Sequence, residues 1–372
     1  MHILYVVNEL AYFRAHRERL ALAMVDRGHR VSVATGEWDG VVPADWDDRV
    51  RLHRLDVDRH GNNPLRDTGM AVQVRRIIKA EEPDILHGLT IKPILYGALA
   101  AASLGSHCPR VVWTFAGLGK VFEPSRSLLA RARRKAVSHA LRRLQARTNA
   151  AATFENEADL KQLVAEGIVP AHRAFRVHGT GLDLSVFCPP AQPRSGPPVV
   201  LMAARLINEK GVDTFLEAAS AVGWREGTRF LLAGPHDPTN PYAVDLASLR
   251  SKRVEWLGPV PQGDMPALFG KADLAVLPTR LREGFPRSLL EAAACGCALI
   301  ATAQPPMREI VLPGRTGWLL DRPTAASLRA ALVAATSDID RTREMGQAAL
   351  DCVRSGPYSE ETVFEVFARL YE

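Results

Sequence analysis

Short apolar runs alternate with helical patterns along the first half of the chain. The run at residues 2–8 has the length of a buried strand, and the amphipathic segment 13–27 that follows it ends before Gly28. Such alternation is typical of α/β proteins with parallel sheets. In this half the pattern predicts strands at residues 2–8, 30–34, 51–55, 85–87, 110–114, 151–154 and 175–178, and a long helix at 65–81.

A second alternation starts at residue 199, after a Pro-rich segment without periodicity at residues 188–198. It predicts strands at 199–203, 229–233, 254–257, 274–277 and 298–301, with helices at 212–221 and 265–271 and a third from Pro286. A chain of 372 residues is long for one core. We therefore predict a domain at residues 1–187, a linker at 188–198, a second domain at 199–356 and a terminal helix at 357–372.

The composition is that of a globular protein, with 47% hydrophobic and 24% charged residues. No apolar run approaches the roughly 20 residues that span a bilayer, and the first residues lack a basic segment of the signal-peptide type. Five cysteines, an odd number without paired spacing, indicate a reducing cytoplasm. We interpret Cys295 and Cys297 as core residues.

The net charge of +6 has one main source. No acidic residue lies between Glu123 and Glu155, and leucines such as Leu128, Leu141 and Leu144 recur there at helical spacing. One interpretation is an outer helix that packs on its own sheet, and the other is docking on an anionic membrane surface through residues 126–147. Nucleic acid is disfavoured because aromatic residues are not interleaved. The cations are Arg126, Arg131, Arg133, Arg134, Lys135, Arg142, Arg143 and Arg147.

The segment 282–296 predicts a phosphate site. Pro286 suits the first position of a helix, so the amides of Arg287 and Ser288 would be unpaired donors at the positive end of the helix dipole. Glu283 precedes that end, and Glu291 lies about 7.5 Å along the axis at roughly 1.5 Å per residue. Carboxylates accept hydrogen bonds from sugar hydroxyls. A bound diphosphate could thus carry a sugar on one side and a ribose on the other.

This pair of glutamates resembles that of the family 4 retaining glycosyltransferases, which have the GT-B fold. Residues 205–213, with Arg205 and Lys210, are similar to the family's segment that grips the donor diphosphate. Segments 308–310 and 316–320 are similar to those that follow it. The resemblance implies an α/β protein of two Rossmann-like domains, with parallel sheets facing across a cleft and a last helix that crosses back to the first domain.

The first half resembles a narrower branch, the enzymes that assemble capsular polysaccharides and polyprenyl-diphosphate-linked oligosaccharides. The similar segments are 13–17, 90–93 and 117–122. This branch implies that a hexose or N-acetylhexosamine passes from a UDP-sugar to a lipid-linked saccharide at the cytoplasmic face of a bacterial inner membrane. It also implies front-face substitution with retention, without a metal or cofactor.

The resemblance also assigns residues to roles. The catalytic candidates are Glu283, Arg205, Lys210 and His16, and the donor candidates are Glu291, Phe285, Pro286, Arg287, Ser288 and Leu289. Many relatives carry a His after the strand at 111–115, where this chain has Ala116 and Gly117. His16 and His87 are therefore the remaining histidine candidates, with a structural role as the alternative for each. The acceptor candidates are Arg14, Arg17, Arg59, His87, Lys92 and Gly117.

Other functions have weaker support. An Asp-x-Asp pattern at residues 56–58, as in metal-dependent glycosyltransferases, recurs at 45–47 and 338–340 and so carries little weight. Residues 179–184 lack the third glycine of a dinucleotide fingerprint, which disfavours a dehydrogenase. A glycosyltransferase with a soluble acceptor, a non-catalytic scaffold, a phosphorylase and a nucleotide-sugar epimerase remain as alternatives. Side-chain identity does not name the donor sugar.

Overall fold

The structure is a computed structural model that describes residues 1–36, 38, 41–56, 64–250 and 253–372, with the backbone alone for 64–67, 120, 248 and 250. The chain divides into two compact units. The first comprises Met1–Thr180 together with Glu360–Glu372, and the second comprises Gly181–Ser359. Within the described ranges each unit has one parallel sheet, as the alternating pattern predicts.

In its described part, the first unit has a seven-stranded sheet with the order β3-β2-β1-β4-β5-β6-β7. All of its pairs are parallel. The strands are β1 His2–Val7, β2 Arg30–Thr35, β3 Val50–Arg54, β4 Ile85–Leu89, β5 Arg110–Phe115, β6 Ala151–Phe154 and β7 Ala174–Arg176. The helices between them are α1 Leu10–His16, α2 Glu18–Asp26, α3 Pro64–Glu81, α4 Ile91–Ala102, α5 Leu128–Thr148 and α6 Glu157–Ala165.

Both faces of the first sheet are covered, which explains its uninterrupted apolar runs. Along β1, Ile3 and Tyr5 point into one core cluster while Leu4 and Val6 point into the other. One prediction here is wrong, because the expected helix at 13–27 is broken at Arg17. Arg17 has a non-helical backbone (φ −138°, ψ −8°), and its side chain turns into the protein interior.

In its described part, the second unit has a six-stranded parallel sheet with the order β10-β9-β8-β11-β12-β13. Cys295 and Cys297 are fully buried in one of its core clusters, which confirms that they are core residues. The strands are β8 Val199–Ala203, β9 Arg229–Ala233, β10 Val254–Trp256, β11 Leu274–Leu277, β12 Ala298–Thr302 and β13 Gly317–Leu320. The helices are α7 Val212–Ala219, α8 Ala247–Arg250, α9 Met265–Gly270, α10 Arg287–Ala294, α11 Ala325–Ser337 and α12 Ile339–Ser355.

The boundary between the units lies at residue 180 rather than 187. Phe187 packs in a core cluster of the second unit, and the Leu182 amide donates to the Tyr358 carbonyl at 2.9 Å. Segment 188–198 is not a free linker, because Arg194 donates to the carbonyls of Gly270 (3.0 Å) and Gly296 (2.6 Å). The chain rejoins the first unit in α13, Glu360–Tyr371. Among the described helices, none combines the length and apolarity needed to cross a bilayer.

Candidate functional site

The loops after three strands of the second sheet carry the predicted donor residues. β8 leads to the segment with Arg205 and Lys210, β11 leads to the loop with Thr279 and Glu283, and β12 leads to Gln304. The carboxyl ends of parallel strands meet at one edge of a sheet, the usual position of ligand sites in such folds. The structure therefore brings these residues together, although they are distant in sequence.

Lys210 and Glu283 form an ion pair at this edge. The Lys210 ammonium lies 2.7 Å and 2.9 Å from the two carboxylate oxygens of Glu283. Their side chains are 17% and 14% exposed, so the pair still faces solvent. The Thr279 hydroxyl donates to the same carboxylate at 2.9 Å, which fixes its orientation. The pair thus offers an ammonium and an oriented carboxylate side by side.

Gly211 allows this pair to form. Its φ is +82°, and a Cβ atom there would lie 2.2 Å from the carbonyl oxygen of Pro278. Only glycine lets the chain pass so close to Pro278 in this conformation. The two loops are also joined by hydrogen bonds, since the Arg280 amide donates to the Glu209 carbonyl at 2.8 Å. The backbone therefore holds Lys210 beside Thr279 and Glu283.

Arg205 is an exposed cation in the segment after β8. In the described part of the chain, no carboxylate lies within ion-pair distance of its guanidinium. An unpaired guanidinium can donate two parallel hydrogen bonds to phosphate oxygens. Arg205 is thus available to a ligand, whereas Lys210 has to share its charge with Glu283.

Helix α10 begins at Arg287, one residue later than predicted, with Pro286 as its N-cap. The amides of Leu289 and Leu290 both donate to the Pro286 carbonyl, at 3.1 Å and 3.2 Å. Arg287 and Ser288 occupy the first two helical positions, whose amides have no carbonyl of the helix to bond. The side chains of Phe285 and Leu289 are buried in the core. These two predicted donor residues therefore position the loop with their side chains.

Glu291 is 4% exposed on α10. One of its carboxylate oxygens accepts hydrogen bonds from Gln262 (2.7 Å) and from Arg287 (2.8 Å). Burial raises the pKa of Glu291, and Arg287 opposes that shift. Sequence reasoning missed Gln262 and Thr279, because isolated polar residues in loops carry no spacing signal. Gln262 donates to Glu291, and Thr279 donates to Glu283.

In the first unit, Arg17 is 2% exposed and donates to Glu155 at 2.7 Å. Its guanidinium also lies over the Phe367 ring, 5.8 Å from the centroid. Burial raises the pKa of Glu155 although Arg17 is adjacent. Arg17 therefore serves a buried ion pair, and the structure does not place it where an acceptor diphosphate could reach it.

His87 is fully buried in a polar chain. One ring nitrogen lies 2.7 Å from the Tyr371 hydroxyl and the other 2.6 Å from the Thr114 hydroxyl. The Tyr371 hydroxyl also bonds that of Tyr5 at 3.0 Å. Burial holds the pKa of His87 well below its ordinary value, so the ring is neutral. His87 thus anchors α13 to the sheet, which corrects its predicted place in the acceptor site.

The remaining first-unit candidates follow neighbouring strands. His16, Lys92 and Gly117 lie in the segments after β1, β4 and β5, and all three are half-buried. The His16 ring lies against Tyr12 with centroids 4.5 Å apart. Arg14 donates to Asp45 at 2.6 Å, which occupies part of its guanidinium. The Arg59 prediction lies outside the described residues.

Helix α5 packs on the protein's own sheet through part of its apolar stripe. Leu141 and Leu144 are buried in the core, so the expected apolar stripe cannot enter a membrane. The helical spacing of these leucines also suggested a membrane-facing stripe, because packing on the protein's own sheet produces the same spacing. Leu128 and Leu129, in contrast, are 78% and 81% exposed in the first turn. Arg134 pairs with Glu166 at 2.6 Å, while Arg131, Arg133 and Lys135 are exposed.

Comparisons with known proteins cover most of both units. Residues 15–152 match the family model of glycosyltransferase family 4, and residues 189–351 match that of glycosyl transferases group 1. The N,N'-diacetylbacillosaminyl-diphospho-undecaprenol alpha-1,3-N-acetylgalactosaminyltransferase of Campylobacter jejuni is 40% identical over 105 residues, 28% of this chain and 26% of that protein. The putative colanic acid biosynthesis glycosyltransferase WcaL of Escherichia coli is 29% identical over 43% of this chain and 41% of its own length. The matches thus span about a quarter to under a half of these relatives.

Solved structures agree along the whole chain. The sucrose-phosphate synthase of Thermosynechococcus elongatus has a TM-score of 0.81 at 18% identity, covering 100% of this chain and 98% of that one. WaaG, a glycosyltransferase involved in lipopolysaccharide biosynthesis, has a TM-score of 0.74 at 16% identity, with 99% of each chain covered. At such identities these similarities establish the fold. The two family models, the two parallel sheets and these structural neighbours together show that the chain belongs to the family 4 glycosyltransferases of the GT-B fold.

Proposed function

We propose that the protein is a glycosyltransferase of glycan or polysaccharide assembly that uses a UDP-sugar as donor. The observation that carries the proposal is the Lys210–Glu283 pair, fixed by Thr279 at the carboxyl edge of the second sheet. The start of α10 follows in the same loop, and Glu291 lies one turn inside that helix. The choice of uridine rests on the resemblance to the lipid-linked oligosaccharide branch.

In this proposal each donor group has a partner. The diphosphate binds Arg205, Lys210 and the amides at the start of α10, where the helix dipole favours an anion. The transferred hexose or N-acetylhexosamine donates hydroxyls to Glu283, and the ribose donates to Glu291. As the glycosidic bond breaks, charge grows on the leaving UDP and strengthens its contacts with the cations. These cations supply the positive charge without a metal ion.

We propose that transfer retains the anomeric configuration. Glu283 is bound on both oxygens by Lys210 and on one by Thr279, so it is oriented to accept hydrogen bonds rather than to attack carbon. The acceptor hydroxyl would then attack from the side that the diphosphate leaves. The stabilisation of the leaving UDP by protein cations has a separate test. EDTA should leave activity intact, and strict dependence on a divalent ion would contradict the metal-independent part of the mechanism.

For the acceptor, we propose a polyprenyl-diphosphate-linked saccharide at the cytoplasmic face of the inner membrane. The Campylobacter relative is named for transfer to a saccharide linked through diphosphate to undecaprenol. His16, Lys92 and Gly117 follow adjacent strands, which supports a shared acceptor site. The exposed Leu128 and Leu129, next to the cations of α5, support docking on an anionic membrane.

The membrane part has its own test. Co-sedimentation with phosphatidylglycerol vesicles should fall when Leu128 and Leu129 are both changed to Ser, and it should weaken as salt screens the cations. Val222→Ser, an exposed site on the second unit, is the matched control. Equal sedimentation of both variants would contradict the proposed membrane docking. It would not affect the proposed glycosyltransferase activity.

Product analysis with a panel of nucleotide sugars tests the function itself. The purified chain should transfer sugar from a UDP-sugar to a polyprenyl-diphosphate-linked acceptor. An isomerised nucleotide sugar would indicate an epimerase, a sugar phosphate formed from a glycan would indicate a phosphorylase, and no turnover would indicate a scaffold. GDP-mannose belongs in the panel because a mannosyltransferase of Mycolicibacterium smegmatis, 29% identical over 41% of this chain, is named as dependent on it.

A further inference from the structure

A basic cavity lies in the first unit at the edge formed by the amino ends of the strands. The acceptor candidates His16, Lys92 and Gly117 follow the carboxyl ends at the other edge. The cavity has a volume of about 560 Å³ and is lined at the amino ends of β5, β6 and β7 and by the last turns of α13. Four arginines line it: Arg110, Arg173, Arg176 and Arg369. Among the described residues that line this cavity, none is acidic.

Two of these arginines are held in place by backbone carbonyls. Arg110 donates to the carbonyls of Tyr371 (2.7 Å) and Leu370 (2.9 Å) at the end of α13. Arg176 donates to the Phe154 carbonyl at 3.2 Å. Carbonyl groups orient a guanidinium, but they carry no net charge to neutralise it. Arg110 is therefore a fixed cation beside the cavity, and Arg176 is held in place next to it.

The other two arginines, Arg173 and Arg369, can donate hydrogen bonds to a ligand. Within the described part of the chain, neither Arg173 nor Arg369 has a carboxylate within ion-pair distance of its side chain. Arg173 is half-buried and Arg369 is exposed. Like charges that share one concave site repel each other, and the walls focus their field, so the site attracts an anion. Each free guanidinium can bond two phosphate oxygens at once.

The cavity is also partly apolar. Phe175, Val366 and Leu370 line it and are half-buried, so they offer contact to the organic part of a ligand. Its volume lies within the roughly 300–1,000 Å³ that is usual for small-molecule sites. β5 runs from Arg110 to Phe115, so the cavity is about 16 Å, at roughly 3.3 Å per residue, from the carboxyl edge of the sheet.

We propose that this cavity is a second anion site, which binds the phosphate group of a phosphorylated small molecule or of a lipid headgroup. Arg173 and Arg369 bind the phosphate, and Arg110 provides a fixed positive charge beside them. A ligand there would bridge β7 to the end of α13, two elements far apart in sequence. The site is independent of the proposed donor and acceptor sites.

Inorganic pyrophosphate is the probe for the first test, in calorimetry on the full chain with saturating UDP present to fill the proposed donor site. Arg173→Ala/Arg369→Ala should weaken pyrophosphate binding by about tenfold or more, because two charge-assisted contacts are lost. Arg75→Ala/Arg76→Ala removes the same charge from exposed positions of α3 and should bind like the parent. Pyrophosphate should also slow hydrogen exchange in the last turn of α13.

The source of the phosphate is decided by phosphatidylglycerol vesicles. If the Arg173/Arg369 variant loses vesicle binding that the Arg75/Arg76 control keeps, the phosphate comes from a lipid headgroup; if both sediment alike, it comes from a soluble molecule. Equal pyrophosphate affinity in the two variants, or no binding by the parent chain, would overturn the proposal. UDP affinity is measured in the same samples, so a failure of the proposed donor site would appear separately.

Discussion

The two units share one plan but use their charged residues differently. In the first unit, Arg17 and His87 are buried and bound to internal partners. In the second, Arg205 is exposed and the Lys210–Glu283 pair remains open to solvent. All of these residues were candidates for ligand binding on sequence grounds. Among these five residues, the two that hold the scaffold are buried, and the three proposed to meet the donor remain accessible to solvent.

The largest effect should follow loss of Lys210. If the second unit carries the donor site, Lys210→Ala should lower turnover by roughly 100- to 1,000-fold, the usual cost of removing one transition-state donor. Stability should change little because Glu283 is solvent-accessible. Steady-state kinetics and thermal unfolding measure the two effects. The control is Lys271→Ala, at an exposed position of the same unit, which should change neither turnover nor stability. Equal losses of turnover in the two variants would contradict a specific role of Lys210 in the donor site.

Arg17 should show the opposite behaviour. Arg17→Ala leaves Glu155 buried without its partner, which typically costs about 3–5 kcal/mol of unfolding free energy. Chemical denaturation measures this loss. Arg19→Ala, whose ion pair with Glu360 is partly exposed, should cost far less. A stable Arg17→Ala protein with weakened acceptor binding would mean that Arg17 meets the acceptor after all.

A smaller effect should come from the backbone beneath Lys210. Gly211→Ala places a Cβ against the Pro278 carbonyl and should cost about 1–3 kcal/mol, with weaker UDP binding as Lys210 is displaced. Gly223→Ala is the matched control, since its φ is +89° but nothing lies within 4 Å of the added atom. Both variants bear the cost of a positive φ. Only Gly211→Ala should lose UDP affinity in calorimetry, and a similar loss in Gly223→Ala would argue against this close approach.

The smallest effect concerns pH. The folded protein lowers the pKa of His87, so the unfolded chain binds more protons than the folded one as pH falls below about 6.5. Its contribution to stability is therefore present above that pH and is lost on acidification. Burial lowers the pKa of His178 as well, to about 4. Unfolding free energy should thus fall between pH 7 and pH 5.

His87→Gln isolates the contribution of His87, because Gln does not titrate and can still form two hydrogen bonds. The variant should show a shallower loss of stability on acidification, measured by denaturation at several pH values. The matched control is His139→Gln, at an exposed position of α5, which should follow the parent. Identical slopes in the parent and in His87→Gln would show that His87 is not held neutral.

The sheets, and the meeting of Lys210 with Glu283 at the edge of the second one, could be predicted because they depend on local patterns. Apolar runs mark strands that are covered on both faces, and the loop-to-helix motif from Glu283 to Glu291 is contiguous. The first-unit site could not be predicted in the same way. The exposure of Arg17 and His87 depends on α13, which lies hundreds of residues later in the sequence. Tyr371 of this helix covers His87, and local sequence patterns do not reveal such a contact.

Amphipathic spacing on α5 shows the same limit. A helix that packs on its own sheet and one that enters a membrane surface share one periodicity, so Leu141 and Leu144 were indistinguishable in sequence from Leu128. The domain boundary at residue 187 was wrong for a related reason. Prolines between 188 and 198 indicate the absence of regular structure, yet Arg194 binds that segment to the carbonyl of Gly270, at the end of α9, and to that of Cys295, just after α10.

Calorimetry of UDP binding to Arg205→Ala tests most directly the assignment of the donor site to the second unit. Arg205 is exposed there, so its removal should leave stability unchanged and weaken UDP binding by about tenfold or more, as expected for a charge-assisted phosphate contact. Arg225→Ala, an exposed arginine of the same unit, should bind UDP like the parent chain. Parent-like affinity in Arg205→Ala, or an equal loss in Arg225→Ala, would contradict the assignment.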